Sequence, residues 1–139
     1  MNSKVKLTII STHERDDEPE SDTAVHYGEY KKSGSAHIIT YKESDTQSGQ
    51  AVDNIIKLYD NKMKVLKSGS LDSKMIFEQD KENKSRYTTP YGDMSMGIYT
   101  NTLTLDFQET TISAKVEYEL FMNGDKISDS AIEIIIEEI

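Results

Sequence analysis

Residue types that carry catalysis or bind metals are scarce in this chain. It has no cysteine, which excludes disulfides, thiol catalysis and thiolate metal sites. Its three histidines, His13, His26 and His37, lack the paired spacing of a zinc-binding helix. We therefore expect no metal site and no cofactor, with the histidines half-buried or at the surface.

One serine stands in the segment Gly92-Asp-Met-Ser-Met-Gly97, which has some likeness to a nucleophile elbow. In that motif a glycine precedes the serine by two residues, and the turn joins a strand to a helix. Here Asp93 and Met94 precede Ser95, and the sequence carries no phosphate-binding loop or dinucleotide fingerprint. We expect a protein that is not an enzyme and has no catalytic residues.

The charge of the chain limits the classes of partner that it is expected to bind. The formal net charge is −9, and affinity for nucleic acids and anionic membranes depends on Lys and Arg, so neither partner is expected. The acids concentrate in residues 14–23, where a calcium loop would need a glycine that does not occur between Met1 and Tyr27. We expect residues 14–23 to form a mobile, solvated connection.

Length and composition indicate one domain. The 139 residues are 35% hydrophobic and 29% charged, as in ordinary soluble domains. The first strand-like run begins at about Lys4, and no apolar run approaches the roughly 20 residues of a membrane span. We expect a single cytoplasmic domain over residues 1–139.

Three hydroxyl side chains interrupt otherwise apolar stripes. Tyr41 follows Ile39, Thr100 extends the stripe that begins at Met94, and Tyr118 lies within another stripe. If these faces point inward, a few hydroxyls would project into an apolar interior, which is the usual form of a small-ligand site. The alternative is structural, with the tyrosine hydroxyls reaching water or backbone at the ends of strands.

Strands separated by short turns must position these side chains. The predicted strands are 4–12, 24–33, 35–43, 50–59, 62–68, 71–79, 84–89, 93–107, 110–122 and 126–138. Short connections favour antiparallel neighbours, and so long a meander most easily removes its edges by curling into a closed barrel. The fold is predicted to be all-β, and a sandwich remains the alternative.

Residues 52–66 fit two structures. Their apolar spacing matches an amphipathic helix. A hairpin with a two-residue Asp60-Asn61 loop instead places Leu58 opposite Met63 and Ile56 opposite Val65. Because Asp and Asn are poor residues for mid-helix, the hairpin is favoured.

Two later strands require irregular pairing. A three-residue loop over 122–124, ending in a left-handed glycine with a bulge, pairs even residues with even and sets Ala114 opposite Ile132. In the strand 93–107 the apolar alternation changes phase between residues 99 and 102, which indicates either a second bulge or two halves of the strand that face different neighbours. In both cases the strand is expected to be strongly curved.

The turn Thr89-Pro90-Tyr91-Gly92 precedes this second strand. Pro90 fixes its own φ, and Gly92 permits the positive φ of a tight reversal. The turn is one part of a sequence pattern that also includes residues spread along the chain: Lys67-Ser68-Gly69, Met75, Phe77, Tyr87, Thr100, Tyr118-x-Leu120 and Gly124. Together they resemble the YwiB-like family of small bacterial proteins of unknown function, over nearly all of the chain after about residue 24.

The resemblance implies an antiparallel meander closing into a calycin-like β-barrel of eight to ten strands, and it brings no established activity. Where arginine is expected in relatives this chain has Lys67, which lacks a planar guanidinium for bidentate anion contacts. Such barrels often hold small apolar ligands, but a fold does not by itself confer a function.

The leading hypothesis is non-covalent binding of a small, partly apolar ligand inside the barrel. The expected lining residues are Tyr41, Met94, Met96, Thr100 and Tyr118, with Lys67, Tyr87 and Tyr91 near the mouth. The alternative is a protein-interaction module or homodimer with a solid core. It rests on apolar residues that alternation leaves on outer faces: Leu103, Leu105, Phe107, Phe121 and Ile135.

Overall fold

The computed structural model describes residues 1–44, 49–69 and 72–139, without the side chain of Thr89. Within these residues it contains ten strands: β1 (Lys4–Arg15), β2 (Glu18–Ser33), β3 (Ala36–Ser44), β4 (Ala51–Leu58), β5 (Met63–Gly69), β6 (Ser73–Phe77), β7 (Glu82–Thr89), β8 (Gly92–Phe107), β9 (Thr111–Met122) and β10 (Asp125–Glu138). The predicted all-β fold is confirmed. Residues Ser70 and Leu71, in a predicted turn and strand, lie outside the described residues.

All ten strands belong to one antiparallel sheet in the order β6-β5-β4-β3-β2-β1-β10-β9-β8-β7. The sheet is a meander of two arms, which are joined where β1 pairs with β10. Its two ends meet at a bridge, with Asp72 N donating to Thr88 O at 3.0 Å and Thr88 N donating to Asp72 O at 2.9 Å. The Ser85 hydroxyl also donates to Lys74 O at 2.6 Å. The sheet is therefore a nearly closed barrel.

Alternation along the strands sends one apolar face inward. The buried core contains Val5, Leu7, Ile39, Ile56, Leu58, Met63, Phe77, Met96, Ile98, Ile112, Ala114, Val116, Ile134 and Ile136, together with Tyr41 and Tyr118. Because these residues come from β1, β3–β6 and β8–β10, the inner wall of the barrel is one continuous core.

The acidic segment 14–23 does not form a connection, so that prediction was wrong in secondary structure. β1 continues to Arg15 and β2 begins at Glu18, with a turn of two residues, Asp16 and Asp17, between them. Both aspartates have positive φ, 50° and 62°, which Asp tolerates and which suits the twist of a tight hairpin. These acidic residues can form paired strands because their side chains remain exposed to solvent. The mobility of the segment stays a prediction.

The hairpin of residues 52–66 is confirmed. Leu58 pairs with Met63 and Ile56 pairs with Val65, as the hairpin prediction required. Tyr59 N donates to Lys62 O at 2.9 Å and closes the loop around Asp60-Asn61. Strand pairing therefore overrides the helix-like spacing of this segment.

The last hairpin corrects the predicted loop. Met122 pairs with Asp125 across a two-residue turn, and the bulge lies later, between Lys126 and Ser128. Asn123 and Gly124 both have positive φ, so the tight turn forms without the bulge. Even residues do pair with even, as predicted, but Ala114 lies opposite Ile134 rather than Ile132.

The bulge in β8 is confirmed between Thr100 and Thr102. It turns Leu103, Leu105 and Phe107 toward the barrel, where they pack partly buried against the core. The expectation that these three residues form an outer apolar patch was therefore wrong. The Thr-Pro-Tyr-Gly turn is confirmed as well, since Thr89 pairs with Gly92 and Gly92 has a φ of 130°.

Candidate functional site

The inner faces of three neighbouring strands change from apolar to polar along their length. β4 runs from Leu58 and Ile56 to Asn54, and β5 runs from Met63 to Lys67. β3 runs in the same direction from Ile39 through Tyr41 to Glu43. Four side chains, Tyr41, Glu43, Asn54 and Lys67, thus form a polar cluster at one end of an apolar wall.

Strand register brings this polar cluster together. Asn54 pairs with Tyr41 on one side and with Lys67 on the other, so the middle residue lies between the other two. Lys67 Nζ lies 2.7 Å from Glu43 Oε1 and donates to Asn54 Oδ1 at 2.7 Å. Asn54 Nδ2 donates to Glu43 Oε1 at 3.1 Å. Each of the three polar groups therefore contacts the other two.

The polar cluster is partly buried. Asn54 is 1% exposed, while the side chains of Lys67 and Glu43 are 30% and 31% exposed. Burial acts to raise the pKa of Glu43, but Lys67, Asn54 and His26 together hold that pKa below the ordinary value. The carboxylate is therefore charged at neutral pH, and one edge of the ion pair faces solvent.

Tyr41, the fourth member of the polar cluster, belongs to an aromatic pair. The His26 ring stacks on the Tyr41 ring, with centroids 4.6 Å apart. Burial, together with the charge of Glu43, raises the pKa of the Tyr41 phenol. The phenol is therefore neutral at physiological pH and can donate a hydrogen bond.

A second polar group surrounds Ser130. The Ser130 hydroxyl lies 2.7 Å from His13 Nδ1 and 2.9 Å from the Ser128 hydroxyl. Ser130 also hydrogen-bonds Tyr118, whose pKa is raised by burial to about 12. Tyr118 is 2% exposed and meets the edge of the Phe77 ring at a centroid distance of 5.0 Å. This group ties the polar part of β10 to the packed core.

Thr100 stands apart from both groups. It is fully buried, and its hydroxyl oxygen has no hydrogen-bond partner among the described residues. An unsatisfied buried hydroxyl is unfavourable, since it loses its bonds to water without replacing them. The barrel interior therefore contains a polar atom with unused bonding capacity.

The structure places the predicted lining residues as follows. Tyr41, Met96, Thr100 and Tyr118 are buried, the first two and Tyr118 within the core. Met94 is half-buried and pairs with Tyr87, which packs against the core.

The residues predicted to lie near the mouth differ in their positions. Lys67 belongs to the polar cluster. Tyr91 lies at the tip of the β7–β8 turn and is 97% exposed, so its side chain does not face the interior.

Sequence reasoning missed Glu43 and Asn54 as members of the site. A readable signal was present, because Asn54 interrupts the stripe Val52, Ile56, Leu58, and Glu43 continues the stripe of Tyr41. The same interruption of alternation had pointed to Tyr41 itself. What the pattern lacked was the register that joins the strands.

A groove of about 750 Å³ lies on the outer side of the same wall. It crosses β2 to β5 and is lined by Tyr27, Thr40 and Ile55, together with the neighbouring parts of Tyr41 and Asn54. Two ion pairs stand on its rim, Lys4–Glu29 at 2.8 Å and Lys42–Asp53 at 3.9 Å. The polar cluster and the groove therefore share residues of one wall.

Residues 1–44, 49–69 and 72–139 contain neither a metal-binding cluster nor a membrane-spanning helix. No three His, Cys, Asp or Glu side chains in these ranges come together in a way that could hold a metal ion. No helix in the same ranges has the length and apolar character needed to cross a membrane.

A family model described as "Domain of unknown function (DUF1934)" matches residues 6–134 of the chain. The chain belongs to this family. The crystal structure of the ywiB protein from Bacillus subtilis matches with a TM-score of 0.88 and 19% sequence identity, over 99% of this chain and 92% of that chain. At this identity the match shows the fold. No curated protein matches the chain.

The match confirms the resemblance to the YwiB-like family. It also agrees with the barrel, since nearly the whole of both chains is superposed. The family description assigns no activity, and a fold does not by itself define a function.

Proposed function

We propose that this protein binds a small, partly apolar molecule non-covalently inside the barrel, with the polar cluster holding the polar end of the molecule. The observation that carries the proposal is the buried Asn54 carboxamide held between Lys67 and Glu43 on an otherwise apolar inner wall. Apolar walls with a few convergent polar groups are typical of small-molecule sites.

Stability alone is a weak reason for such a cluster. Burying part of an ion pair removes water from both charges, and a well-packed apolar replacement is often as stable. The neighbouring inner residues Ile56 and Val65 show that β4 and β5 tolerate apolar side chains on this face. A role in recognition supplies a reason for the polar residues that packing does not.

The chemistry of the cluster defines the polar end of the molecule. Lys67 and the Asn54 amide donate hydrogen bonds, Glu43 accepts them, and the neutral Tyr41 phenol can do either. A group that both donates and accepts, such as a hydroxyl or an amide, matches this set better than a bare anion. A bare anion would face the Glu43 carboxylate.

We propose binding without catalysis, and the surroundings of Ser130 support this proposal. The contact that comes nearest to a catalytic pair is His13 with Ser130, at 2.7 Å. Ser130 is only 7% exposed and is also held by Ser128 and Tyr118, so substrate access to its hydroxyl is restricted. No second hydrogen bond orients the His13 ring among the described residues, as a catalytic base requires.

Native mass spectrometry of protein purified from its own host tests the proposal. We expect a mass adduct that dissociates under collisional activation or on denaturation. The adduct should be lost from Lys67→Met, whose affinity we expect to fall about 10- to 100-fold because a charged hydrogen-bond donor is removed. Lys42→Met removes a lysine on the outer face of β3 and should keep the adduct.

A chain that is free of any adduct in its own host would contradict ligand binding. Equal loss of the adduct from Lys67→Met and Lys42→Met would contradict the polar cluster as its location. Thermal unfolding of both variants checks that they fold.

Thr100→Val gives a separate test of the barrel interior. Without ligand, this variant should be about 1 kcal/mol more stable than the parent, because an unsatisfied buried hydroxyl is removed.

A further inference from the structure

One strand of the barrel has an open edge. β1 pairs with residues 18–29 of β2, whereas β3 pairs only with residues 29–33. Residues 18–28 therefore have a hydrogen-bonded neighbour on one side only, among the residues that the structure describes. An edge of this length is a template for pairing with another chain.

The free backbone groups of this edge can be assigned residue by residue. The two-residue turn makes Arg15 and Glu18 a hydrogen-bonded pair, and such pairs alternate along an antiparallel ladder. The even residues of β2 therefore bond β1, while the odd residues direct N–H and C=O groups away from it. The odd residues with both groups free are Ser21, Thr23, Val25 and Tyr27.

Pro19 fits the same scheme. It occupies an odd position, where its missing N–H would have pointed to the open side, so it does not disturb the ladder with β1. Proline also ends the usable edge on the side of the turn. The open edge is thus limited to about four residues with complete backbone groups, at Ser21 to Tyr27.

The side chains of the edge separate into two faces. One face carries the acids Glu18, Glu20 and Asp22 at successive even positions. The other face carries Val25 and Tyr27, which are 48% and 68% exposed. Exposed large apolar side chains beside unpaired backbone groups are a combination that sheet proteins usually avoid.

We propose that the open edge of β2 accepts an extended, basic segment of another protein as an added strand. Cross-strand neighbours lie on the same face of a sheet. The added segment would therefore carry Lys or Arg on the face of the acids, and β-branched or aromatic residues on the face of Val25 and Tyr27. Main-chain hydrogen bonds supply affinity and this alternation supplies specificity.

Charge argues against a second copy of the chain as the occupant. The hairpin from Glu14 to Asp22 carries six acids and one arginine, and the whole chain has a formal charge of −9. Pairing two such edges brings like charges together, which is unfavourable at moderate ionic strength. A basic partner gains from the same charges.

Fluorescence anisotropy with synthetic peptides tests the proposal. The probe is a labelled peptide of about ten residues in which lysine alternates with threonine or valine, and the control replaces every lysine by glutamate. We expect the lysine peptide to bind with an affinity that falls as salt is raised, and the glutamate peptide to show no binding. Equal binding of both peptides would contradict the proposed charge recognition.

Val25→Pro isolates the backbone contribution. It removes an N–H that points to the open side and leaves the ladder with β1 intact, as Pro19 already does. We expect peptide affinity to fall about tenfold or more, while Val25→Thr, which keeps the N–H, retains it. If Val25→Pro binds the peptide as tightly as its parent, strand addition is wrong.

Amide hydrogen exchange by NMR distinguishes strand addition from simple attraction to the acids. On peptide binding, exchange should slow at Ser21, Thr23, Val25 and Tyr27, and change little at the even residues, which β1 already protects. Binding without this alternating protection would contradict an added strand. Light scattering that shows a concentration-dependent dimer, abolished by Val25→Pro, would make a second copy the occupant and overturn the proposal.

Discussion

The two ends of the barrel's inner wall are built from the same strands but hold different chemistry. At one end Leu58 of β4, Met63 of β5 and Phe77 of β6 are fully buried and pack together. At the other end the same strands present Asn54, Lys67 and Ser73. Both ends keep the alternation that makes a strand, so alternation does not decide whether an inner residue serves packing or recognition.

This contrast indicates which residues should affect the stability of the fold and which should affect binding. Apolar burial contributes about 25 cal/mol per Å² and has no preferred direction, so the packed end needs only shape. Hydrogen bonds of a partly buried ion pair contribute little net free energy but require particular geometry. Substitutions at the packed end should therefore change unfolding, whereas those at the polar end should change binding.

The largest expected effect is at the packed end. Phe77→Ala should lower the free energy of unfolding by about 3–5 kcal/mol, because it leaves a cavity beside Tyr118. Urea unfolding followed by circular dichroism measures this change. Tyr91→Ala, at a 97% exposed side chain, should stay within about 0.5 kcal/mol of the parent. Equal losses in the two variants would remove the distinction between core and surface here.

Next comes the close approach of β2 and β3 beside the polar cluster. A Cβ at Gly28 would collide with the carbonyl oxygen of Thr40 and lie 3.1 Å from Tyr41 Cβ. Gly28→Ala should therefore cost about 1–3 kcal/mol, since backbone must shift. Gly97→Ala is the matched control, because its nearest neighbour, Phe121 Cβ, is at an ordinary 3.5 Å. Chemical denaturation of both variants checks the difference, and a stable Gly28→Ala would contradict it.

Alkaline pH should weaken the core around Tyr118. The pKa of Tyr118 is raised to about 12 from an ordinary value of 10, so its neutral phenol stabilises the fold fully below pH 10. That contribution is lost as pH rises from 10 toward 12, at up to about 1.4 kcal/mol per pH unit. Tyr118→Phe should be less stable at neutral pH and lose less above pH 10. Parallel pH curves for parent and variant would contradict this assignment.

The smallest expected effect is the coupling within the polar cluster. A double-mutant cycle with Lys67→Met and Glu43→Gln should give a coupling free energy of about 1 kcal/mol, discounted because both side chains are one-third exposed. The cycle for the exposed pair Lys42–Asp53, at 3.9 Å, should give less than about 0.5 kcal/mol. Indistinguishable couplings would place the cluster among ordinary surface ion pairs.

Much of the fold could be predicted because its signals are local. Asp60-Asn61 and the Thr-Pro-Tyr-Gly segment are turn sequences, and the phase change near Thr100 is visible as a shift in alternation. The hairpin of residues 14–23 was missed because charge obscured its strand pattern. Its two positive-φ aspartates show that turn chemistry outweighed repulsion between exposed acids.

The candidate site was predictable only in part. Tyr41 and Lys67 were found, one by alternation and one through the family resemblance, but nothing local links them to each other. Glu43 and Asn54 interrupt or extend apolar stripes, which marks them as inward-facing and polar. The expectation that Leu103 to Phe107 face outward was wrong because the bulge restores them to the core.

By itself the sequence determined the strands, most of the turns and the face of each strand that is apolar, because side chains alternate with a period of two residues. Tertiary structure alone decided that Glu43, Asn54 and Lys67 meet, since their contact depends on the register of three strands. It also decided that β2 pairs with β3 only from Glu29 onward and keeps an open edge before that residue. Register is a relation between distant segments, set by turns, bulges and barrel closure together, and no single stretch of sequence contains it.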